Sequence, residues 1–172
     1  GRAGCNAVAR LLESSTCLRL LSLPNCDIGD EEICILAASI KVSKSRLPLE
    51  SIQLSFNSIS HKGAECLTNS LWGSRSLREL VLDNNQIADR GAHHIAAIVP
   101  TLPALKVLDV GFNSIKTSGL TALMKTVAET SLLSSLSVSG NVVDVNAAKA
   151  LAYALAYNSS LMEIFLVHCS IV

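Results

Sequence analysis

The hydrophobic residues of this chain recur in one pattern: Leu, two residues, an aliphatic residue, one residue, a second aliphatic residue, two residues, Asn or Cys, one residue, then Ile or Val. Six copies begin at Leu18, Leu49, Leu77, Leu105, Leu133 and Leu161, so successive copies start 31, 28, 28, 28 and 28 residues apart. A fixed period in this range is typical of stacked supersecondary units. The pattern therefore predicts a solenoid that offers an extended binding surface rather than a pocket built for chemistry.

Each copy contains a stretch in which inward aliphatic residues alternate with variable outward residues, as in Leu80, Val81 and Leu82. This period of two predicts short strands in the segments that begin near residues 18, 49, 77, 105, 133 and 161. Three residues beyond the last aliphatic of each stretch stand Cys26, Asn57, Asn85, Asn113, Asn141 and Cys169. Because an amide there can satisfy backbone groups, we predict a ladder of Asn side chains that is weaker at the two Cys positions. The aliphatic residues expected to return to the core after it are Ile28, Ile59, Ile87, Ile115, Val143 and Ile171.

The second half of each unit has helical spacing. In the second full repeat, Gly63-Ala64 is followed by Leu67 and Leu71, and the same spacing recurs in later copies. Apolar positions at i, i+4 and i+8 mark one buried helix face. Residues 4–17 are predicted to be the helix of a partial first repeat, and the last strand has no helix after it. We therefore expect residues 1–172 to be one repeat domain from a longer protein, whose uncapped last strand favours self-association.

The spacing LxxLxLxx(N/C)x(I/V), followed by a small residue and an amphipathic helix, resembles the ribonuclease-inhibitor-like leucine-rich repeats from Gly4 to Ile171. The resemblance implies an α/β fold, a right-handed leucine-rich-repeat solenoid that forms a horseshoe segment. Its parallel β-sheet would line the concave face and its α-helices the convex face. It also implies a protein–protein interaction module that acts as a scaffold or adaptor. Two alternatives remain open: the ligand-sensing domain of an intracellular NOD-like innate immune receptor, and a regulator or activator of a small GTPase.

In such a sheet, a partner protein would contact the outward strand positions and the turns that follow them. The candidate partner-binding residues are Phe56, Glu79, Val81, Asp83, Val107, Asp109, Phe112, Glu163 and Phe165. All three phenylalanines of the chain belong to this set. Aromatic side chains beside acidic groups are typical of interface anchors, so we expect the centre of this set to contribute most. The fifth copy, with Ser135, Ser137, Ser139 and Gly140, is interpreted as a spacer.

The composition argues against several other functions. With 14 basic and 14 acidic residues the formal net charge is zero, so a general nucleic-acid surface is not expected. No apolar run reaches the roughly 18 residues that a membrane span needs. His93 and His94 are adjacent on a predicted helix, and their side chains diverge by about 100°. The sequence contains no metal-binding, phosphate-binding or nucleophile motif, so we expect a protein without cofactor, metal or enzymatic activity.

Six cysteines occupy mostly different positions of the repeat, which favours reduced, buried thiols in an intracellular protein, cytoplasmic or nuclear. One bridge remains conceivable, between Cys34 and Cys66, which lie one position out of register on neighbouring predicted helices. The three extra residues of the 31-residue step fall within 41–48, where Lys41, Lys44 and Arg46 carry positive charge. This basic segment is interpreted as a solvated loop, with a contact site as the alternative.

Overall fold

The computed structural model describes residues 1–171, with side chains to residue 170. Helices and short strands alternate along this part of the chain. The helices are α1 (Arg2–Ser14), α2 (Asp30–Ser43), α3 (His61–Leu71), α4 (Ala88–Ile98), α5 (Thr117–Glu129) and α6 (Val145–Tyr157). The strands are β1 (Leu20–Ser22), β2 (Ser51–Gln53), β3 (Glu79–Val81), β4 (Val107–Asp109), β5 (Ser135–Ser137), β6 (Val142–Val143), β7 (Glu163–Phe165) and β8 (Ser170–Ile171). A short 3-10 turn, Val99–Thr101, follows α4.

The main sheet is parallel, with strand order β1-β2-β3-β4-β5-β7, and each pair of neighbours is in register. Equivalent residues of successive repeats therefore stand side by side in one row. The central row consists of Leu21, Ile52, Leu80, Leu108, Leu136 and Ile164. Strands β6 and β8 form a separate parallel pair beside it. The predicted fold class, a leucine-rich solenoid of stacked strand and helix units, is confirmed.

The core lies between the sheet and the layer of helices. Leu67 and Ile95 from the predicted helix faces are fully buried, as are Leu80 and Leu108 from the sheet. Burial of each such side chain contributes about 1.5–3 kcal/mol to folding. The returning aliphatic residues from Ile28 to Val143 are also buried, while the side chain of Ile171 lies outside the described residues.

The predicted ladder of Asn side chains is present. The side-chain oxygen of Asn57 accepts hydrogen bonds from the backbone N–H groups of Cys26 and Ile28 in the preceding repeat, at 3.1 and 3.0 Å. Its amide nitrogen donates to the carbonyls of Leu23 and Leu54, both at 2.9 Å. By contrast, the thiol of Cys169 makes one long contact, 3.6 Å from the carbonyl oxygen of Val138. Each Asn thus ties its repeat to the previous one, as a residue with both a donor and an acceptor can.

Aspartates connect the helices of successive repeats at their N-termini. The carboxylate of Asp30, in the first turn of α2, accepts hydrogen bonds from the backbone N–H groups of Ser60 and Gly63 at 2.8 and 2.9 Å. Asp89 in α4 accepts in the same way from Lys116 and Gly119 at the start of α5. These bonds satisfy N–H groups that have no partner inside their own helix. The stack is therefore fixed by polar contacts on the helix side as well as by the Asn ladder.

We expect Asp30→Ala to lower the free energy of unfolding by about 1 to 2 kcal/mol at neutral pH, because it removes a cap from α3. Burial raises the pKa of Asp30, but hydrogen bonds from Ser60 and Gly63 outweigh it, so the pKa lies below the ordinary value of 3.8. The loss of unfolding free energy caused by Asp30→Ala should therefore have its full size above the ordinary pKa. It should shrink as the pH falls through the lowered pKa of Asp30. Urea unfolding at neutral and acid pH measures it. The same loss with Glu31→Ala, an exposed neighbour, would contradict the capping role.

The expectation of reduced, buried thiols is wrong for several cysteines. Cys34 and Cys66 are joined by a disulfide between α2 and α3, with Cα atoms 5.3 Å apart. Packing of the two helices brings them within bonding distance despite their offset of one position. Of the free cysteines, Cys5 is buried, whereas Cys17 and Cys26 are exposed.

Strand β7 pairs on one side only, with β5, among the described residues. Self-association through this strand stays a prediction, although its neighbourhood exposes Phe165, Leu166 and Val167. No helix in the described part of the chain is long and apolar enough to cross a membrane.

Candidate functional site

The outward row of the sheet contains most of the predicted site residues. Glu79 and Val81 flank the buried Leu80 on β3, and Val107 and Asp109 occupy the equivalent positions on β4. On β7, Glu163 and Phe165 take the same two positions and are exposed. These side chains point away from the core because successive residues of a strand face opposite sides.

The turn after each strand places one residue in the left-handed backbone region. This residue directly precedes the Asn or Cys of the repeat pattern. Its φ angle lies between 51° and 67° in Asn25, Phe56, Asn84, Phe112, Gly140 and His168. A bulky residue in this region is uncommon and costs roughly 1 to 2 kcal/mol. Phe56 and Phe112 adopt it nonetheless, and their side chains are 59% and 42% exposed. The repeat therefore displays two aromatic rings beside the outward face of the sheet.

A cavity of about 300 Å³ opens on this face between β3 and β7, and we call it the acidic–aromatic cavity. Its lining residues are Asp83, Asp109, Phe112, Ser137, Ser139, Phe165 and Val167. Four of the nine predicted site residues are thus brought together. The other five, Phe56, Glu79, Val81, Val107 and Glu163, lie elsewhere on the face or in its turns.

The fifth copy, interpreted from the sequence as a spacer, contributes small residues to the cavity. Ser137 and Ser139 line it, and Gly140 lies under the ring of Phe112. A Cβ atom on Gly140 would stand 2.2 Å from Cδ1 of that ring. The ring of His168 lies on the following turn, with its centroid 6.3 Å from that of Phe112. The sequence signal was the pairing of a large turn residue with glycine one repeat later.

The cavity concentrates negative charge. Burial, together with the nearby negative charge of Asp83, raises the pKa of Asp109 above its ordinary value, although hydrogen bonds from Gly111 and Ser137 oppose the rise. Asp83 accepts hydrogen bonds from the hydroxyl of Ser55 and the side-chain amide of Asn84. Across residues 1–170, no Lys, Arg or His nitrogen lies within 4.0 Å of either carboxylate. The two acids are therefore held in place by neutral donors and lack a cationic partner.

Two acidic groups nearer the start of the chain already have partners within the domain, Glu50 in ion pairs and Glu79 in hydrogen bonds to neutral side chains. Glu50 forms ion pairs with Arg19 at 2.8 Å and with Arg78 at 3.4 Å. Glu79 accepts hydrogen bonds from the side chains of Ser51 and Gln53. In the acidic–aromatic cavity, unlike at Glu50, a cation from another molecule would meet two neighbouring carboxylates that form no ion pair among the described residues. In the described residues, no three His, Cys, Asp or Glu side chains converge on a point that could hold a metal ion.

The in-register strands, the Asn ladder and the outward face of variable residues define a leucine-rich-repeat solenoid. A family model described as Leucine Rich repeat matches residues 48–67, 73–96 and 102–124. The pig (Sus scrofa) ribonuclease inhibitor is 29% identical over 157 residues, which is 89% of this chain and 33% of that protein. The human (Homo sapiens) NACHT, LRR and PYD domains-containing protein 5 is 27% identical over 165 residues, 94% of this chain and 14% of that protein.

Two further comparisons also find similarity to known proteins. The mouse (Mus musculus) NACHT, LRR and PYD domains-containing protein 12 is 32% identical over 91 residues, 53% of this chain and 8% of that protein. The solved structure of Leiomodin-1 Actin-Binding Site 2 superposes with a TM-score of 0.65 at 15% identity, covering 89% of this chain and 88% of that one. The chain thus spans a third or less of the length of these curated relatives. It contains leucine-rich repeats and is similar over most of its length to the pig ribonuclease inhibitor and the human NACHT, LRR and PYD domains-containing protein 5.

Proposed function

We propose that this domain is a protein–protein interaction module whose concave sheet binds another protein. The observation that carries the proposal is the acidic–aromatic cavity, where two phenylalanines and two cation-free carboxylates meet on a rigid sheet. Aromatic anchors at the centre of a contact surface contribute much of the binding energy in known interfaces. The Asn ladder fixes the sheet before binding, which lowers the ordering cost of association.

The chemistry of the cavity favours a basic side chain of the partner as its occupant. A guanidinium or ammonium group would lie between Asp83 and Asp109, while its aliphatic stem would pack against Phe112 and Phe165. Arginine fits best, because its planar group can form two hydrogen bonds to a carboxylate and can stack on an aromatic ring. The partner would thus present an exposed arginine flanked by apolar residues.

A role as the ligand-sensing repeat domain of an intracellular immune receptor is the second candidate. Its support is the similarity to two NACHT, LRR and PYD domains-containing proteins, one of them over 94% of this chain. The similarity to a protein named as a ribonuclease inhibitor supports the broader proposal of a protein partner. An intracellular location is part of both proposals.

Selection from a displayed library of random peptides tests the proposal. We expect the chain to enrich peptides that contain arginine or lysine next to apolar residues. The variant Phe112→Ala with Asp109→Lys should bind these peptides at least about tenfold more weakly in fluorescence anisotropy, because it removes the aromatic wall and reverses one charge.

The matched control is Tyr157→Ala with Glu129→Lys. It also removes an exposed aromatic ring and reverses one charge, but Tyr157 is at the end of α6 and Glu129 at the end of α5, outside the cavity. It should retain the affinity of the unaltered chain. Failure to enrich peptides with arginine or lysine beside apolar residues, or equal loss in both variants, would refute the cavity as the binding site.

A further inference from the structure

The basic segment 41–48 borders a cavity of about 780 Å³, which we call the basic edge cavity. It lies where the chain passes from helix to strand in two successive repeats. One wall is the segment after α2, and the other is the segment after α3, from Gly73 to Ser76. Its cationic lining residues are Lys41, Lys44, Arg46 and Arg75.

We propose that the basic edge cavity binds an acidic segment of a partner protein. Four cations line it, and its lining contains no Asp or Glu. In the described part of the chain, none of these four cations forms an ion pair with a carboxylate within 4.0 Å. Arg2, Arg19 and Arg78, by contrast, each pair with a glutamate. This positive patch lies within a chain of zero net charge, so it is a local feature of the surface.

Two of the four cations are fixed by backbone groups of other repeats. The ammonium group of Lys44 donates a hydrogen bond to the carbonyl oxygen of Trp72, and the guanidinium group of Arg46 donates to that of Glu13. An ammonium group has three donors and a guanidinium group five, so both retain N–H groups for a ligand. Lys41 and Arg75 make no side-chain hydrogen bond among the described residues and are available to close on an anion.

The size and apolar parts of the cavity favour a peptide over a small anion. Its volume exceeds what one phosphate or carboxylate group would fill, and Val42 and Pro48 contribute apolar surface, with Val42 71% exposed. Aliphatic residues between glutamates or aspartates would pack on this surface while the carboxylates meet the cations. A nucleic acid fits less well, because the lining contains no aromatic side chain on which bases could stack.

This site is separate from the acidic–aromatic cavity, because the two share no lining residue and carry opposite charge. Failure of either proposal therefore leaves the other standing. A partner with both an acidic segment and an exposed arginine could contact the two sites together.

Fluorescence anisotropy with a short labelled peptide of glutamate and leucine tests the proposal. The variant Lys41→Glu with Arg75→Glu should weaken binding by roughly tenfold or more, because both cations become repulsive. Lys62→Glu with Arg90→Glu is the matched control, since it makes the same charge changes at exposed positions outside the cavity. It should leave the affinity nearly unchanged. Added salt should weaken the binding of the unaltered chain.

Three outcomes would overturn the proposal. The first is absence of peptide binding at low salt, and the second is an equal loss in the two variants. The third is that inorganic phosphate or single-stranded RNA binds as tightly as the peptide with the same dependence on Lys41 and Arg75. Circular dichroism of both variants is the check that they are folded, so that a loss confined to the cavity variant reports on the site.

Discussion

Asn113→Ala is expected to lower the free energy of unfolding by about 3 to 5 kcal/mol, because it leaves the buried N–H of Ile87 without a partner and removes two further hydrogen bonds in the interior. Asn113 is fully buried at the middle of the ladder. Its side-chain oxygen accepts a hydrogen bond from the N–H of Ile87 at 3.2 Å. Its amide nitrogen donates to the carbonyls of Leu82 and Gly111 at 2.8 and 2.9 Å. Alanine can replace none of these bonds.

Urea unfolding of the two chains measures the Asn113 effect through the shift of the midpoint at constant slope. Asn6→Ala is the control, because Asn6 is exposed on α1 and its replacement should change the free energy by less than about 0.5 kcal/mol. A loss below about 1 kcal/mol for Asn113→Ala would mean that water or a backbone shift satisfies the freed groups.

Gly140→Ala is expected to cost about 2 to 4 kcal/mol, from two separate causes. The backbone of Gly140 has φ +67°, a conformation that costs an L-residue roughly 1 kcal/mol or more. The new methyl group would also lie 2.2 Å from Cδ1 of Phe112, so the ring must move, at a cost of about 1–3 kcal/mol.

A double-mutant cycle separates the two causes. In a Phe112→Ala background, the cost of Gly140→Ala should fall to the backbone part alone, which gives a coupling of about 1 to 3 kcal/mol between the two positions. Gly73→Ala is the control, because Gly73 has a similar φ of +70° and no atom within 4 Å of its added Cβ. Equal costs for Gly140→Ala with and without the Phe112 ring would show that the ring does not rest on the glycine.

The same substitution bears on binding. If the Phe112 ring moves to accommodate a methyl group on Gly140, one wall of the acidic–aromatic cavity moves with it. The stability of this turn and the shape of the proposed site are therefore set by the same contact. The left-handed backbone of Phe112 at the proposed site is also consistent with the tendency of strained backbone to occur at binding sites.

Period and residue type made the fold predictable. Leu80 and Leu108 stand in one row because they occupy the same position in successive repeats, and each repeat packs on its neighbour. The Asn ladder followed from the same logic, since an amide at one fixed position meets the same backbone groups in every copy. The nine candidate site residues follow from the outward positions that a strand imposes by local alternation and from the turns after each strand.

The acidic–aromatic cavity could not be predicted in this way. A cavity depends on what is absent, and here the absent atoms are those that a larger residue at Ser137, Ser139 or Gly140 would supply. In the sequence these small residues show no feature of a site. The cavity becomes apparent only when the ring of Phe112, from the preceding repeat, packs over Gly140. The Cys34–Cys66 bond also depends on packing between repeats. The two cysteines lie one position apart in the repeat alignment, and the packing of α2 on α3 brings them together.

The sequence by itself determined the solenoid, the sides of its strands and helices, and the positions of its charges and aromatic rings. These features follow from the periodicity of the sequence, because inward and outward positions alternate within each repeat and recur at equivalent positions in the next. The tertiary structure alone decided which side chains of different repeats line one cavity, as Arg75 and Lys44 do at the basic edge cavity and Phe165 and Asp83 at the acidic–aromatic cavity. The physical reason is that a site depends on distances between residues far apart in the chain, and only the packed stack sets these distances.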